Sequence, residues 1–349
     1  MKVFDYKKLK DYVVDQELLS LITEIYQYKG KQDIFLNLKQ SALDNMQEQA
    51  FLSSTESSNR IEGIVTTTAR LKKIIKGDLV PKSRNEQEIA GYKNALRLIL
   101  DSYDLISITK NHVLQIHQTM ISPTKLPYGG RFKSTQNYIV SVNKNNERTI
   151  LFIPLSPFET PIAIEELFKN FNDAVENSYI DQLILLPYFI HDFLCIHPFD
   201  DGNGRVSRLL TTLILLKFGF KIFKYVSLDA QIESHREWYY NALQDSHSGW
   251  INNNHNPQPF IKFLLTMILY SLREAENKYS VSICGKNAYS KVKFVIDKIV
   301  GRFTKDQIAQ TCTTISKPAI EIALKQLCNE GYIEKNGKGK ATYYVKKNS

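Results

Sequence analysis

The sequence predicts a mainly α-helical protein with one small β-hairpin, followed by a basic C-terminal winged helix-turn-helix. Three observations carry this expectation. Apolar residues recur at helical spacing through most of the 349 residues. A single stretch, 134–154, places two β-prone runs around a polar turn, "NKNNER". Beyond about residue 283 both the charge and the element pattern change. The length asks for two or three domains, and a 43% apolar, 11% aromatic composition is ample for a core.

Taken in order, helices are expected over 17–30 with Gly30 as the stop, 35–54, 85–103 and 110–122. After the hairpin come 162–177, 181–197, 205–219, 233–247 and 259–280. In the tail, "YSKVKFVIDKIVG" reads as a helix with a glycine stop, and "TKDQIAQTC" as a short Thr-capped one. "SKPAIEIALKQLCNEG" begins with a Ser cap and ends in Gly331, and "YIEKNGKGKATYYVKK" gives two short strands around a Lys/Gly turn. Three helices and a basic hairpin in that order describe a winged helix-turn-helix, with 316–330 as its recognition helix. The expected division is a helical N-terminal region 1–105, a central core 106–282 and a C-terminal module 283–349.

Charge and cysteine usage narrow the function classes. Residues 285–349 hold 13 Lys and Arg against 5 Asp and Glu, so they carry +8 of the formal +9. A basic module on a near-neutral body raises the question of nucleic acid. Cys195, Cys284, Cys312 and Cys328 are scattered without a CxxC pair, which argues against a zinc site and a disulfide framework and suits a reducing cytoplasm. The first residues carry no apolar h-region and no 18-residue apolar run occurs, so neither a signal peptide nor a membrane span is expected.

The informative stretch is "CIHPFDDGNGRVSRLL", residues 195–210. A helix is expected to end there, and another to begin near Asn203. Gly202 and Gly204 allow close backbone approach, and a helix N-terminus offers unpaired N–H groups and positive potential, which together make a phosphate site. Arg205 and Arg208, three residues apart on the first turn, add forked donors for phosphate oxygens. Asp201 would repel phosphate unless it holds Mg²⁺. His197 has a suitable pKa to take a proton from an attacking hydroxyl. A single His191-Asp192 pair on a helix could suggest a phosphohydrolase dyad, but it has no second pair to complete it.

This run resembles the Fic family motif H-x-F-x-[D/E]-G-N-G-R-x-x-R at every fixed position: His197, Phe199, Asp201, Gly202, Asn203, Gly204, Arg205 and Arg208. The likeness extends over about 35–280. "GGRFKSTQNYIV" and "FIPLSPFETPIAIEEL" are similar to the family's flap hairpin and following helix, with Val140-Ser141 where a Gly-Gly pair is common. "HREWYYNAL" is similar to its nucleotide-side helix, and a C-terminal winged helix is a recurring companion.

The resemblance implies Mg²⁺-dependent transfer of AMP from ATP to a Ser, Thr or Tyr hydroxyl of a protein substrate, itself included, with release of pyrophosphate. His197 would be the base, Asp201 the metal ligand, and Gly202, Asn203 and Gly204 the phosphate cradle. Arg205 and Arg208 would grip the outer phosphates, and Phe199 would be core. Tyr240 and His247 would lie beside the adenosine, while the flap, with Gln136, Ile139 and Val140, would align the target by strand addition. "SNRIEG" (58–63) fits the family's inhibitory pattern [S/T]-x-x-x-E-[G/N], with Ser58, Glu62 and Gly63 in place. On that likeness Glu62 would pair with Arg208 and keep it from the γ-phosphate. Read alone, the same six residues are a helix end with Gly63 as stop. Two alternatives stand beside the self-inhibited transferase: a nucleotide-sensing DNA-binding regulator, and a Fic enzyme that removes AMP or transfers another phosphate-containing group. For the C-terminal module, protein docking or homodimer support is expected ahead of sequence-specific DNA binding.

Overall fold

A computed structural model of the chain describes residues 2–38, 40–142, 147–283, 287–312, 315–337, 339 and 342–347. Much of the "NKNNER" turn, Cys284 and part of the Lys/Gly turn lie outside the described residues. Two large hydrophobic cores, one drawing on residues from Phe4 to Ala275 and one on residues from Val281 to Tyr344, and a small cluster of Leu71, Ile74, Ile89 and Ala90 organise the rest.

The first core is helical. After a 3₁₀ turn at Tyr6–Asp11 come α1 (Gln16–Leu36), α2 (Gln40–Ile61), α3 (Thr68–Lys76), α4 (Arg84–Ser102) and α5 (Lys110–Ile121). A hairpin of β1 (Ile139–Val142) and β2 (Arg148–Phe152) follows, antiparallel, with a register shift between Ile139 and Val140. Then come α6 (Thr160–Glu176), α7 (Gln182–Ile196), α8 (Asn203–Lys217), α9 (Leu228–Ser234), α10 (Arg236–His247) and α11 (Gln258–Ile283). The sequence of α7, "QLILLPYFIHDFLCI", is apolar all round, and a helix of that pattern must be buried on every side. It is the central element, packed by α6, α8 and α11. α4 packs against both α2 and α8, so the C-terminal end of α2 arrives at the start of α8.

The helix expected over 35–54 is broken at 37–38, between α1 and α2, and three further expectations need correction. Gly30 does not stop α1, which runs on to Leu36. An exposed helical glycine costs about 1 kcal/mol against alanine, less than the roughly 1.5–3 kcal/mol from burying Phe35 beyond it. The helix expected over 233–247 is two: the His235 N–H and ring Nδ1 both turn back to the Gln231 carbonyl, closing α9 before α10 begins. In the tail, α12 (Ala288–Lys298) ends short of Gly301 because Ile299 is already extended.

That extension starts an unanticipated strand, β3 (Arg302–Phe303). After α13 (Lys305–Thr311) and α14 (Lys317–Asn329), β4 (Ile333–Asn336) and β5 (Tyr343–Lys346) complete an antiparallel sheet in the order β3-β5-β4. The caps read from sequence are present: Thr304 accepts from the Gln307 N–H in a capping box, and Ser316 accepts from the Ala319 N–H. Val281, still on α11, belongs to this second core. Among the described residues no helix is long and apolar enough to cross a membrane.

Candidate active site

The loop between α7 and α8 is held from all sides. His197 ends α7 in the left-handed region (φ 53°, ψ 62°), a conformation a non-glycine residue keeps only where its surroundings impose it. Asn203 supplies much of that constraint: its Oδ1 accepts from the Phe199 N–H at 2.9 Å and its Nδ2 donates to the Phe199 carbonyl at 2.7 Å. Its side chain is thus spent on the loop, leaving its backbone N–H for the cradle. Phe199 is fully buried, stacked on His117 with ring centroids 3.8 Å apart. The Gly130 N–H donates to His117 Nδ1, so the proton of the neutral ring sits on Nε2, 3.1 Å from the Asp201 carbonyl. Burial pushes His117 down to about 4 and keeps it neutral.

The segment preceding the hairpin forms a second clamp. Lys133 donates from Nζ to the Ile196 carbonyl and from its backbone N–H to that of Pro198. Asn137 Nδ2 donates to the Phe199 carbonyl at 3.1 Å. Burial lowers Lys133 to about 8.

These clamps present an anion site. Gly202 is the N-cap of α8 at φ 85°, with no side-chain cap, so the first-turn N–H groups are not taken by one. A Cβ at Gly202 would collide with Met120, and one at Gly204 with the Glu62 carboxylate. The Arg205 guanidinium, 1% exposed, lies 2.9 Å from Glu88 Oε2 and 3.6 Å from Asp201 Oδ1, and its Nε is buried without a hydrogen-bond partner. Arg208 Nη1 is likewise buried and unbonded. Buried guanidinium nitrogens left without hydrogen bonds on Arg205 and Arg208, near an uncapped helix start, are what a bound polyanion could satisfy.

Asp201 is partly open to solvent, with its side chain 44% exposed. Its Oδ1 accepts from the Gly202 N–H, and its Oδ2 has only long contacts, Tyr128 at 3.5 Å and Arg84 at 3.7 Å. An exposed carboxylate oxygen so lightly engaged beside a phosphate site fits a Mg²⁺ ligand.

His197 is arranged as a neutral base. Its Nδ1 lies 3.3 Å from the Leu194 carbonyl, which can only accept, so Nε2 keeps the free lone pair. Burial lowers it to about 4, with Lys133 acting the same way, against a smaller upward pull from Leu194, Glu62 and Asp201.

Ser58 and Glu62 do come together with Arg208, 150 and 146 residues away. Arg208 donates from Nε to Ser58 Oγ at 2.7 Å, and from Nη2 to the Ser58 carbonyl and to Glu62 Oε1, both at 2.9 Å. Asp229, buried, adds a carboxylate 3.6 Å away and is itself bonded by Tyr92 Oη. Burial pulls the guanidinium down, but Glu62, Tyr239 and Asp229 outweigh it and hold Arg208 above its ordinary range. Gly63, at φ 77° just past the end of α2, is a helix stop as well. Both readings of "SNRIEG" therefore describe the same residues: the helix ends there, and its end carries a carboxylate into the anion site.

The remaining predicted residues separate. Tyr240 is half-exposed and donates to the Ile61 carbonyl, at the mouth of the site. His247 turns inward, with Nδ1 3.3 Å from Cys195 Sγ and its ring stacked on Phe152. Gln136 donates to the Asn137 and Pro154 carbonyls, bracing the hairpin base, while Val140 is exposed on β1 and Ile139 is half-buried. Sequence reasoning did not find Glu88, Tyr92, His117, Lys133, Asn137 or Asp229. Each sits in an otherwise ordinary helix or loop sequence, and only a polar residue on an apolar helical face, as in "HVLQIHQTMI" around His117, offered a signal.

Residues 107–215 match the Fic/DOC family. A protein named protein adenylyltransferase Fic from Culex quinquefasciatus is 26% identical over 256 residues, covering 70% of this chain and 46% of its own length. One of the same name from Nematostella vectensis is 26% identical over 72% of this chain and 54% of itself. The chain thus spans about half the length of these curated relatives. The crystal structure of a Fic family protein from Desulfovibrio desulfuricans G20 superposes with a TM-score of 0.64 at 20% identity, over 97% of this chain and 98% of that one, which establishes a shared fold. The intact motif and this shared fold agree with the match of residues 107–215 to the Fic/DOC family.

Proposed function

We propose that the chain is a self-inhibited protein adenylyltransferase that moves AMP from ATP to a hydroxyl of a protein, including its own. One observation carries the reading: the Glu62 carboxylate rests on Arg208 and over Gly204, inside an otherwise complete anion site beside a neutral His197. A sensor that only held nucleotide would need no base there. The relatives' names point to the same chemistry.

In this reading the uncapped start of α8 binds the α- and β-phosphates, and Arg205 and Arg208 bind the outer ones. His197 Nε2 removes the proton as the acceptor oxygen bonds to the α-phosphorus; the bond to the β-phosphate oxygen breaks and pyrophosphate departs. Asp201 would hold Mg²⁺, which supplies charge neutralisation on the phosphates when bound. The open hairpin, with Tyr138, Val140 and Ile150 exposed, offers an edge for an extended acceptor segment. With Glu62 on Arg208, the γ-phosphate loses its guanidinium and ATP binds in an unproductive pose. Residues 283–349 are proposed as a winged helix-turn-helix that docks a partner or a second copy rather than reading a DNA sequence. The deciding experiment is incubation with ATP labelled at the α-phosphate and Mg²⁺. Label on the protein supports transfer, and its absence even after Glu62→Gly refutes it.

A further inference from the structure

Behind the catalytic loop the fold gathers a second set of donors that the phosphate chemistry does not use. His191 and Cys195 lie one turn apart on α7, and His247 ends α10. Cys195 Sγ is 3.3 Å from His247 Nδ1, and 3.7 Å and 3.9 Å from the two ring nitrogens of His191. One donor atom from each residue lies within 4.8 Å of the others. His255 stacks on His191 at 5.6 Å, and both its ring nitrogens are buried with no hydrogen-bond partner. His191, Asp192 and His255 form an overlapping set of the same compactness.

From these positions we infer a buried zinc site with Cys195, His191 and His247 as its protein ligands, the fourth tetrahedral position being left to a non-protein ligand. Zinc holds thiolate sulfur at about 2.3 Å and imidazole nitrogen at about 2.0–2.1 Å, so tetrahedral S···N separations are about 3.6 Å. The observed 3.3 Å and 3.7 Å bracket that value. Cys195 is buried, and coordination would take its thiol proton away outright. Asp192 is already occupied, accepting from Tyr6 Oη and Trp250 Nε1 and facing Lys2, so it serves as a neighbouring countercharge. The ion would tie the C-terminal end of α7, two residues before His197, to the C-terminal end of α10. Linear spacing argued against zinc because only one cysteine takes part and the histidines come from distant helices. The inference does not depend on which group the Fic site transfers.

The full chain is expressed in zinc-supplemented and, separately, cobalt-supplemented medium. About one equivalent of metal per chain is expected, together with a thiolate-to-cobalt charge-transfer band that disappears in Cys195→Ser and weakens in His247→Gln. A metal-free protein from both media, or a band that persists in Cys195→Ser, overturns the assignment. Should the variants fail to fold, X-ray absorption on the unmutated zinc protein decides. One sulfur with nitrogen neighbours supports the site, and a shell of nitrogen and oxygen alone rejects it.

Discussion

Glu62 and Arg208 meet at 2.9 Å, and the carboxylate of that pair occupies the space directly above the Gly204 backbone. Two anions, a side-chain carboxylate and the γ-phosphate of ATP, would therefore compete for one guanidinium. Glu62→Gly is expected to raise automodification. Breaking a buried ion pair is worth roughly 3–5 kcal/mol, but Glu62 is 34% exposed and solvent screens it. At about 1.4 kcal/mol per decade, a tenfold to hundredfold gain is the expected range. Arg208 keeps Ser58 and Asp229, so the thermal midpoint should move little. Glu62→Gly combined with Arg208→Ala should stay inactive. An unchanged rate for Glu62→Gly at saturating ATP and Mg²⁺ removes the latch.

His197→Ala should lower transfer by at least about 100-fold while leaving ATP affinity within a few-fold, because the base acts on the acceptor and not on the phosphates. With His197 lowered to about 4, the acid limb of the rate profile should fall near pH 4–5 rather than near 6.5. Glu62 pulls that value upward, so the limb should move lower still in Glu62→Gly. Equal labelling by mutant and parent, or a limb centred near 6.5, contradicts the assignment.

Stability should fall with acid for a related reason. His117, His197, His247 and His255 are each lowered to about 4 and His191 lies well below 6.5, so between these pH values the unfolded chain binds protons that the folded chain refuses. The stabilisation is present above about 6.5 and is lost as pH drops toward 4, at about 1.4 kcal/mol per pH unit for each histidine fully protonated only when unfolded. Denaturant titrations at pH 7.5, 6 and 5 measure it; flat stability across them refutes the buried neutral rings.

The Asp201 loop depends on a residue without any motif. His117→Phe should keep the stack on Phe199 but leave the Gly130 N–H and the Asp201 carbonyl without their partner, at roughly 1–3 kcal/mol for each buried group left unpaired. Transfer by Glu62→Gly should then fall about tenfold or more. Full activity at unchanged stability would show the contacts to be dispensable.

What the sequence made legible was local. Helical period, caps such as Thr304 and Ser316, and the contiguous run from His197 to Arg208 are all written within a few residues, so the elements and a candidate site could be read together. The partners that tune the site come from other helices: Glu88 and Tyr92 from α4, His117 from α5, Asp229 from α9. Nothing within a window of ten residues distinguishes Asp229, in "SLDAQIES", from an ordinary first-turn acid. Gly30 shows the converse, where a local stop signal yields to the burial of Phe35 beyond it.

The basic C-terminal module gives the last prediction. Its formal +8 over residues 285–349 sets a non-specific affinity for DNA that must fall steeply with salt, since each phosphate contact releases counterion. Base reading needs donors free to enter the major groove, commonly arginine or asparagine. The outer face of α14 offers Lys317, Glu321 and Lys325, and the first two are already engaged: Lys317 pairs with Asp306 at 3.4 Å and Glu321 with Lys305 at 2.6 Å. On the same helix Ile322 is 69% exposed, an apolar side chain better suited to a protein surface than to a phosphate backbone. Fluorescence anisotropy with unrelated duplexes should therefore give weak binding that is indifferent to sequence and weakens by at least tenfold from 50 to 200 mM salt. Ile322→Glu should leave that modest affinity within a few-fold while disrupting self-association or capture of a protein partner. Tight, sequence-selective binding at physiological salt would make α14 a reader of DNA and reverse the assignment.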